Sequence, residues 1–503
     1  MTDTLDAATG GRRRTARRRT AAVAPVTVGL LGLLISLVGI GTPSIWYDEA
    51  ASVISATRSW EQLGAMIANV DLVHAVYYAL LHVVFDVFGY SPVAMRVPSA
   101  IAIGLAAAFV VVLGRVLDRP RLGLIGGLVF CLLPRITWAG TEGRSYAMTT
   151  TLAVLLTIVL VLACRDNRRS LWILYAVLVV FACAVFVYLA LVVAAHAVTM
   201  ALWFATSRSQ ARPSVVRWVG WTAVATAIVV PFGIGVVRQS GQVHWIKAPG
   251  RNTFREVFEN QWFFTSDSFA AVAWLLLIVG GILLVRSSRG LSPALLLLPA
   301  IVVPTVALIV LSATVTPVYT PRYLTMCAPF VALAIAAAID RIRPRPLALV
   351  ALLVLAALSY PQIVAQRQPE AKEHASWAAV ARLIGAQRAE AGPGVTTAIV
   401  YGTVQRHPIA TSRVIAYSYP APFAGTIDVT LGTPAAETGE LWETRIPLSD
   451  GLPRLERADV VYLITSVSRD QRPATTDILR TAGWHAAREW NLTSVNVVEY
   501  QRD

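Results

Sequence analysis

Apolar residues run for about 20 positions at a time along most of the chain, a length that crosses a ~30 Å hydrocarbon layer as a helix. These runs predict spans at roughly 23–42, 95–114, 122–139, 147–164, 171–187, 189–205, 218–237, 269–285, 293–313, 324–339 and 346–365. Segment 73–89 is also apolar, yet at a helical rise of ~1.5 Å per residue it reaches only about 25 Å. It carries His74, Tyr78, His82 and Asp86 at four-residue spacing, which draws one polar stripe along a helix. That stripe suits the membrane surface better than the hydrocarbon. The pattern therefore predicts an α-helical polytopic membrane protein of about eleven spans, with 73–89 as a juxtamembrane helix.

Beyond residue 365 the periodicity changes. Helical patterns near 371–391 and 474–483 alternate with strand-like runs at 396–401, 458–466 and 493–500. The expected organisation is a disordered basic tail over 1–22, a transmembrane domain over 23–365 and a small α/β domain over 366–503.

Charge orients this arrangement. The 503-residue chain is 56% hydrophobic and 14% charged, and its formal net charge is +14. In a soluble protein that excess would suggest nucleic acid. Here it falls in short loops: Arg115, Arg119, Arg121; Arg165, Arg168, Arg169; Arg208, Arg212, Arg217; Arg286, Arg289; Arg341, Arg343, Arg345. If 73–89 does not span, all of these loops share one side with the Arg-rich N-terminus, as the positive-inside rule requires. The expected location is the plasma (inner) membrane, with loop 43–94, the turn 140–146, loops 238–268 and 314–323, and the C-terminal domain extracytoplasmic. The first helix lacks a small-x-small cleavage pattern and reads as uncleaved. Cys131, Cys164, Cys183 and Cys327 lie in or beside apolar runs without ligand-like spacing, so neither disulfides nor a zinc site is expected.

Candidate chemistry gathers on the expected outer side. Trp46-Tyr47-Asp48-Glu49 follows the first span, and a carboxylate pair at a membrane edge costs desolvation energy unless it is used or paired. Sugar transfer to a hydroxyl needs one carboxylate to take the acceptor proton. Thr141-Glu142-Gly143-Arg144-Ser145-Tyr146 and Thr320-Pro321-Arg322-Tyr323 each place an arginine at a helix mouth, where it suits either a lipid phosphate or an anchoring role. His244 and Lys247 share a loop with Trp245 and Trp262, a composition that equally fits an interfacial loop. Asp71 and His74 open the 73–89 helix. Arg135, in Leu-Leu-Pro-Arg, and Arg96 read as paired or snorkelling residues.

The order of these signals resembles the GT-C superfamily of membrane glycosyltransferases over about residues 20–365. The similarity is to the branch of protein O-mannosyltransferases and the lipid A aminoarabinose transferase, and to actinobacterial mannosyltransferase-like proteins. The acidic pair after the first span, the surface helix with His74, Tyr77 and Tyr78, Arg96-Val-Pro-Ser, Glu142-Gly-Arg144-Ser-Tyr146 and Pro321-Arg322-Tyr323 carry it. One departure is plain: the His-Pro-Pro that often precedes the surface helix is here Val73-His74-Ala75.

The resemblance implies an inverting transfer from a polyprenyl phosphate sugar, mannose by family frequency, to a hydroxyl of a cell-envelope glycolipid, polysaccharide or protein. It implies Asp48 as general base or substrate-orienting carboxylate, with Glu49 beside it as the second catalytic carboxylate. Arg144, Arg322, His244 and Lys247 would face the donor phosphate. Asp71, His74, Tyr78, Glu142, Tyr146 and Tyr323 would line the substrate. The implied partners are that lipid-linked donor, a glycan or glycolipid acceptor and membrane lipid, without nucleic acid. Some members bind a divalent cation and others do not, and the sequence leaves both open. Two other classes compete: a flippase or transporter of a lipid-linked sugar, for which no inverted repeat or broken mid-membrane helix is evident, and a membrane scaffold with a glycan-binding outer domain.

Overall fold

A computed structural model describes residues 23–243, 245–286, 290–405 and 407–502. The basic tail expected over 1–22 and the candidate His244 lie outside the described residues. Eight described helices are long and apolar enough to cross a membrane: Pro92–Val116, Tyr146–Asp166, Val187–Thr206, Arg208–Arg238, Asp267–Arg286, Pro293–Thr314, Pro321–Arg341 and Arg345–Ala365. Shorter apolar helices at Val23–Leu37, Pro120–Leu132 and Arg169–Val185 occupy the three other expected spans. The chain is a multi-pass membrane protein, with a small sheet domain near its C-terminus.

The chain divides into two compact units. Of the described residues, one unit, the membrane unit, holds 23–38 and Arg96–Val364; the other holds Gly39–Met95 and 365–502.

Within the membrane unit, close helix packing depends on small residues, the usual means of bringing helices together where lipid gives no hydrophobic driving force. At Gly280 an added Cβ would land on the Ala334 carbonyl oxygen, and at Gly114 on the Gly123 backbone. Polar groups inside the unit are tied to one another. His196 meets Thr157 Oγ1 at 3.1 Å and Tyr175 Oη at 2.9 Å, and Trp218 Nε1 donates to Tyr175 at 3.2 Å.

The expected span 122–139 is broken. Helix Pro120–Leu132 stops, Leu133 turns extended (ψ 123°), and a separate short helix follows at Pro134–Ala139. Pro134 is the reason: its ring disfavours helical geometry at the residue before it and it has no N–H to donate. Likewise, the expected span 324–339 begins earlier, with a tight 3₁₀ stretch at Pro321–Cys327 leading into the α-helix Ala328–Arg341.

The second unit combines the long first loop with the C-terminal domain. Its sheet is built from β1 (Thr397–Tyr401), β4 (Ile427–Asp428), β5 (Val460–Ser466), β6 (Trp484–Asn491) and β7 (Val495–Arg502). A separate two-stranded ribbon pairs β2 (Thr403–Val404) with β3 (His407–Thr411). The main sheet runs in the order β4-β1-β5-β7-β6, with β1 parallel to both neighbours and β7 antiparallel to β5 and β6. Ala398, Val400, Val461, Leu463, Leu479, Trp484, Val498 and Tyr500 form its core.

The expected helix 371–391 starts only at Trp377, because Glu373 and His374 take left-handed φ of +49° and +56°. Edge strand β6 was not evident in the hydrophobic pattern; most of its side chains are exposed, so it has no alternation to read.

Helix Ala75–Phe88 belongs to this second unit. Its stripe of His74, Tyr78 and His82 is buried, whereas Val83, Val87 and Phe88 are 48%, 66% and 78% exposed. The polar side turns into the protein and the apolar side outward, the reverse of a water-facing helix. Asp86, the last member of the stripe, lies at the exposed edge and receives His82 Nε2 at 3.2 Å.

Candidate functional site

In the membrane unit, the two arginine motifs are far apart in the chain, Arg144 and Arg322 being 178 positions apart in numbering (322 − 144), but meet through their tyrosines. Segment 140–145, expected as a short outer loop, is a turn between helices Pro134–Ala139 and Tyr146–Asp166, and it is almost wholly buried. Glu142 is 1% exposed and Arg144 7%. The Arg144 backbone is pinned by Ser99, whose hydroxyl donates to its carbonyl at 3.2 Å.

Tyr146 opens the next helix, and its ring lies 6.1 Å from that of Tyr323. Phe186 and Tyr188 complete the cluster, at 5.4 and 5.0 Å from the Tyr323 ring, the latter stacked. Packed aromatic faces of this kind add about 0.5–1.5 kcal/mol per pair beyond their burial. The residues following Pro321 therefore pack beside the residues following Glu142. Arg322, half-buried, lays its guanidinium carbon 5.3 Å from the centre of the Trp245 ring. Lys247, two residues on, is exposed.

Arg135 joins this group, although the sequence suggested only anchoring. It projects from the short helix that Pro134 creates. Nε donates to the Gln261 carbonyl at 3.3 Å and Nη2 to the Asn260 carbonyl at 2.5 Å. Its guanidinium also stacks 4.7 Å from the centre of the Phe264 ring. Gln261 is held in turn by Thr305 Oγ1 at 3.0 Å and by the Tyr319 hydroxyl at 3.1 Å. Around Arg135, Glu142, Arg322 and Glu256 all lie within electrostatic reach. Two cations drawn this close repel, and an arginine fork fixed by carbonyls and an aromatic face retains its full charge. Such an arrangement favours an oxyanion with several oxygens. The signal for Arg135 in the sequence was Pro134 interrupting an apolar run.

The remaining candidates belong to the second unit. Helix Tyr47–Ala56 begins straight after Trp46, and Asp48 and Glu49 occupy its first turn, where the helix dipole favours anions. Their fates differ sharply. Glu49 is fully buried and receives Lys372 Nζ at 2.7 Å, itself fully buried, from 323 residues away. Asp48 is only half-buried. Tyr47 accepts a hydrogen bond from Trp442 Nε1 at 3.1 Å.

Asp71 takes a left-handed backbone (φ +60°) and accepts the Tyr78 hydroxyl at 2.7 Å. The Tyr78 ring lies 5.8 Å from that of His74. Asp71, His74 and Tyr78 thus form one buried cluster. Nearby Arg58, which no motif singled out, points Nη2 at three carbonyls, those of Ala435, Glu440 and Leu441, at 2.7, 2.5 and 3.2 Å. Burial lowers its pKa from the ordinary arginine value. Among the described residues, no three His, Cys, Asp or Glu side chains gather as a metal ion would need.

No family model matches the chain, and no curated protein matches its sequence. Solved structures do match its fold. ArnT from Cupriavidus metallidurans in the apo state is 13% identical, with a TM-score of 0.60 over 94% of this chain and 97% of that one. ArnT from the same organism bound to undecaprenyl phosphate matches with a TM-score of 0.57 over the same shares. The apo oligosaccharyltransferase from Archaeoglobus fulgidus is 11% identical, with a TM-score of 0.51 over 88% of this chain and 70% of that one. These proteins are of the GT-C superfamily, and the fold of this chain is the GT-C fold.

Proposed function

We propose that this protein is an inverting glycosyltransferase that moves a sugar, mannose in our reading, from a polyprenyl phosphate to a hydroxyl of a cell-envelope glycolipid, polysaccharide or protein. The observation that carries the proposal is the fold shared along nearly the whole of both chains with ArnT, one of whose structures holds undecaprenyl phosphate. Arg322 within electrostatic reach of Arg135, with Tyr146 beside Tyr323, supports an anion site of the kind a lipid phosphate needs. The basic loops support an orientation in which that chemistry lies outside the plasma membrane.

In the proposed reaction Asp48 accepts the proton of the acceptor hydroxyl. The hydroxyl oxygen attacks the anomeric carbon, and the bond from that carbon to the phosphate oxygen breaks with its electron pair leaving on the phosphate. Configuration inverts. Arg144 and Arg322, assisted by Arg135 and by Lys247 and His244 of the adjoining loop, act mainly as negative charge grows on the departing phosphate. Glu142, Tyr146, Tyr323, Asp71, His74 and Tyr78 shape the substrate surroundings. Glu49 serves differently from Asp48: its ion pair with Lys372 fixes the helix turn that presents Asp48.

The test is to incubate purified full-length protein with a panel of polyprenyl-phosphate sugars. Release of polyprenyl phosphate with one of them is expected. Intact donor carried across a vesicle membrane, with no sugar–phosphate bond cleaved, would instead identify a transporter.

A further inference from the structure

The ten-residue helix Tyr47–Ala56 carries Asp48 in its first turn. At a rise of ~1.5 Å per residue it spans about 15 Å. Trp46 stands at its N-cap and has no side-chain oxygen to accept the first free amides, so the start of the helix depends on contacts from elsewhere. One loop of the same unit reaches both ends of the helix.

That loop runs from Gly432 to Thr444. Its base is closed by two backbone bonds: the Gly432 amide donates to the Thr444 carbonyl, and the Thr444 amide to the Thr433 carbonyl, both at 3.0 Å. Glu443 ties the base to the sheet domain by accepting Arg413 Nη1 at 2.6 Å and Thr411 Oγ1 at 2.8 Å. Thr438 stiffens the tip. Its hydroxyl donates to the Ala435 carbonyl and accepts the Glu440 amide, each at 3.0 Å. Compact loops with joined ends and bonds of their own are frequently functional.

At the start of the helix, Trp442 holds Tyr47, the residue before Asp48. Its Nε1 donates to the Tyr47 hydroxyl at 3.1 Å, and the two rings lie 5.3 Å apart. Just past the end of the helix, Arg58 gathers the carbonyls of Ala435, Glu440 and Leu441 on Nη2. Asn69 adds a further hold, Nδ2 donating to the Gly439 carbonyl at 3.0 Å. Gly439 has φ +67°, and a Cβ there would lie 3.1 Å from Asn69 Nδ2, so this close approach suits glycine.

Arg58 is 3% exposed, and its Nε and Nη1 are buried with no hydrogen-bond partner among the described residues. A packed apolar contact could fasten a loop without burying a charge. What the guanidinium adds is reach to two parts of the loop at once, Ala435 on one side of the tip and Glu440-Leu441 on the other. Drawing these together fixes where Trp442, the next residue, meets Tyr47. We propose that Arg58 is a positioning residue for the proton-accepting carboxylate, acting through the Gly432–Thr444 loop and Trp442 on Tyr47 and so on Asp48. The positioning role rests on the transferase reading; the bracing of the helix does not.

The test uses full-length protein in lipid nanodiscs and the variants Arg58→Met, Arg58→Lys and Trp442→Phe, the last keeping a ring while removing the Nε1–H donor. Hydrogen exchange is followed in helix Tyr47–Ala56. Donor affinity, the rate of polyprenyl phosphate release and the melting temperature are measured in parallel, with polyprenyl-phosphate mannose as donor and a manno-oligosaccharide as acceptor. Arg58→Met and Trp442→Phe should speed exchange about tenfold, on the order of one lost hydrogen bond to a charged or buried group. They should lower kcat about tenfold with donor affinity unchanged, since a 1 Å misplacement costs about 10²-fold. Arg58→Lys should recover part of the rate. If Arg58→Met does not fold, Trp442→Phe carries the same prediction with the Arg58 clamp intact. Wild-type kcat in the folded variants, or kcat falling only in step with donor affinity and melting, would overturn the positioning role alone. If the wild type releases no polyprenyl phosphate, the transferase reading fails and the positioning role with it, while faster exchange in the variants would still uphold the brace.

Discussion

The best-fixed buried cations of the two units are held differently. In the second unit, two buried cations meet carboxylates, while Arg58 is held by three backbone carbonyls. Lys372 meets Glu49, and Arg413 is clasped by Asp428 at 2.5 and 2.7 Å and by Glu443 at 2.6 Å. For Arg413, burial alone would lower the pKa, but the bonds and charges of Asp428 and Glu443 more than offset it and raise the value. In the membrane unit, Arg135 is hydrogen-bonded to carbonyl oxygens and lies over a phenylalanine face, with Glu142, Arg322 and Glu256 within its electrostatic reach. The difference teaches how to separate structural from functional charge. A cation hydrogen-bonded directly to carboxylates is locked in place, whereas a guanidinium held on carbonyls and a ring, with a second arginine near it, keeps part of its field for an incoming anion.

The comparison can be broken or sharpened by substitution. The largest effect is expected from Glu49→Ala, which takes the 2.7 Å carboxylate away from the fully buried Lys372 ammonium. Loss of stability on the order of 3–5 kcal/mol should follow, read as a fall in the unfolding midpoint of the purified protein. The double change Glu49→Leu with Lys372→Met should recover most of it, since a packed apolar pair is often as stable as a buried ion pair. If the single change costs nothing, the pair is not structural.

Arg322→Ala should come next, weakening binding of polyprenyl phosphate by about 1.5–3 kcal/mol, the worth of a hydrogen bond to a charged group. Melting behaviour should change little, because Arg322 is only half-buried. Unchanged lipid affinity would return Arg322 to an anchoring role. The smallest effect, about 1 kcal/mol of stability, is expected from Ser59→Ala. Ser59 and Gln62 form a capping box at helix Trp60–Asn69, with bonds of 3.2 and 3.1 Å. This last change should leave lipid binding alone.

The sequence carried the membrane architecture well because lipid forces every backbone polar group into helices of a readable length. It also carried the strands that alternate or run apolar, β1, β5 and β7, but not the exposed edge strand β6. Pairing between distant residues was not legible. Nothing in Trp46-Tyr47-Asp48-Glu49 says that Glu49 will find Lys372, and before folding the two carboxylates look equivalent. Arg135 was passed over because it lay inside what read as one continuous span, and only the break at Pro134 frees it to reach Asn260 and Gln261. The stripe His74-Tyr78-His82 was visible as a pattern, but its direction was not: periodicity gives a face without saying which way that face points.

The account centres on Asp48 as the group that receives a proton while its neighbour Glu49 is engaged in structure. The most direct measurement compares wild type with Asp48→Asn in one preparation, recording both polyprenyl-phosphate-sugar affinity and the rate of polyprenyl phosphate release with acceptor present. The expected result is unchanged affinity and a release rate lower by about 10²–10⁴, the usual contribution of a general base. Release at the wild-type rate from the Asn variant would contradict the account.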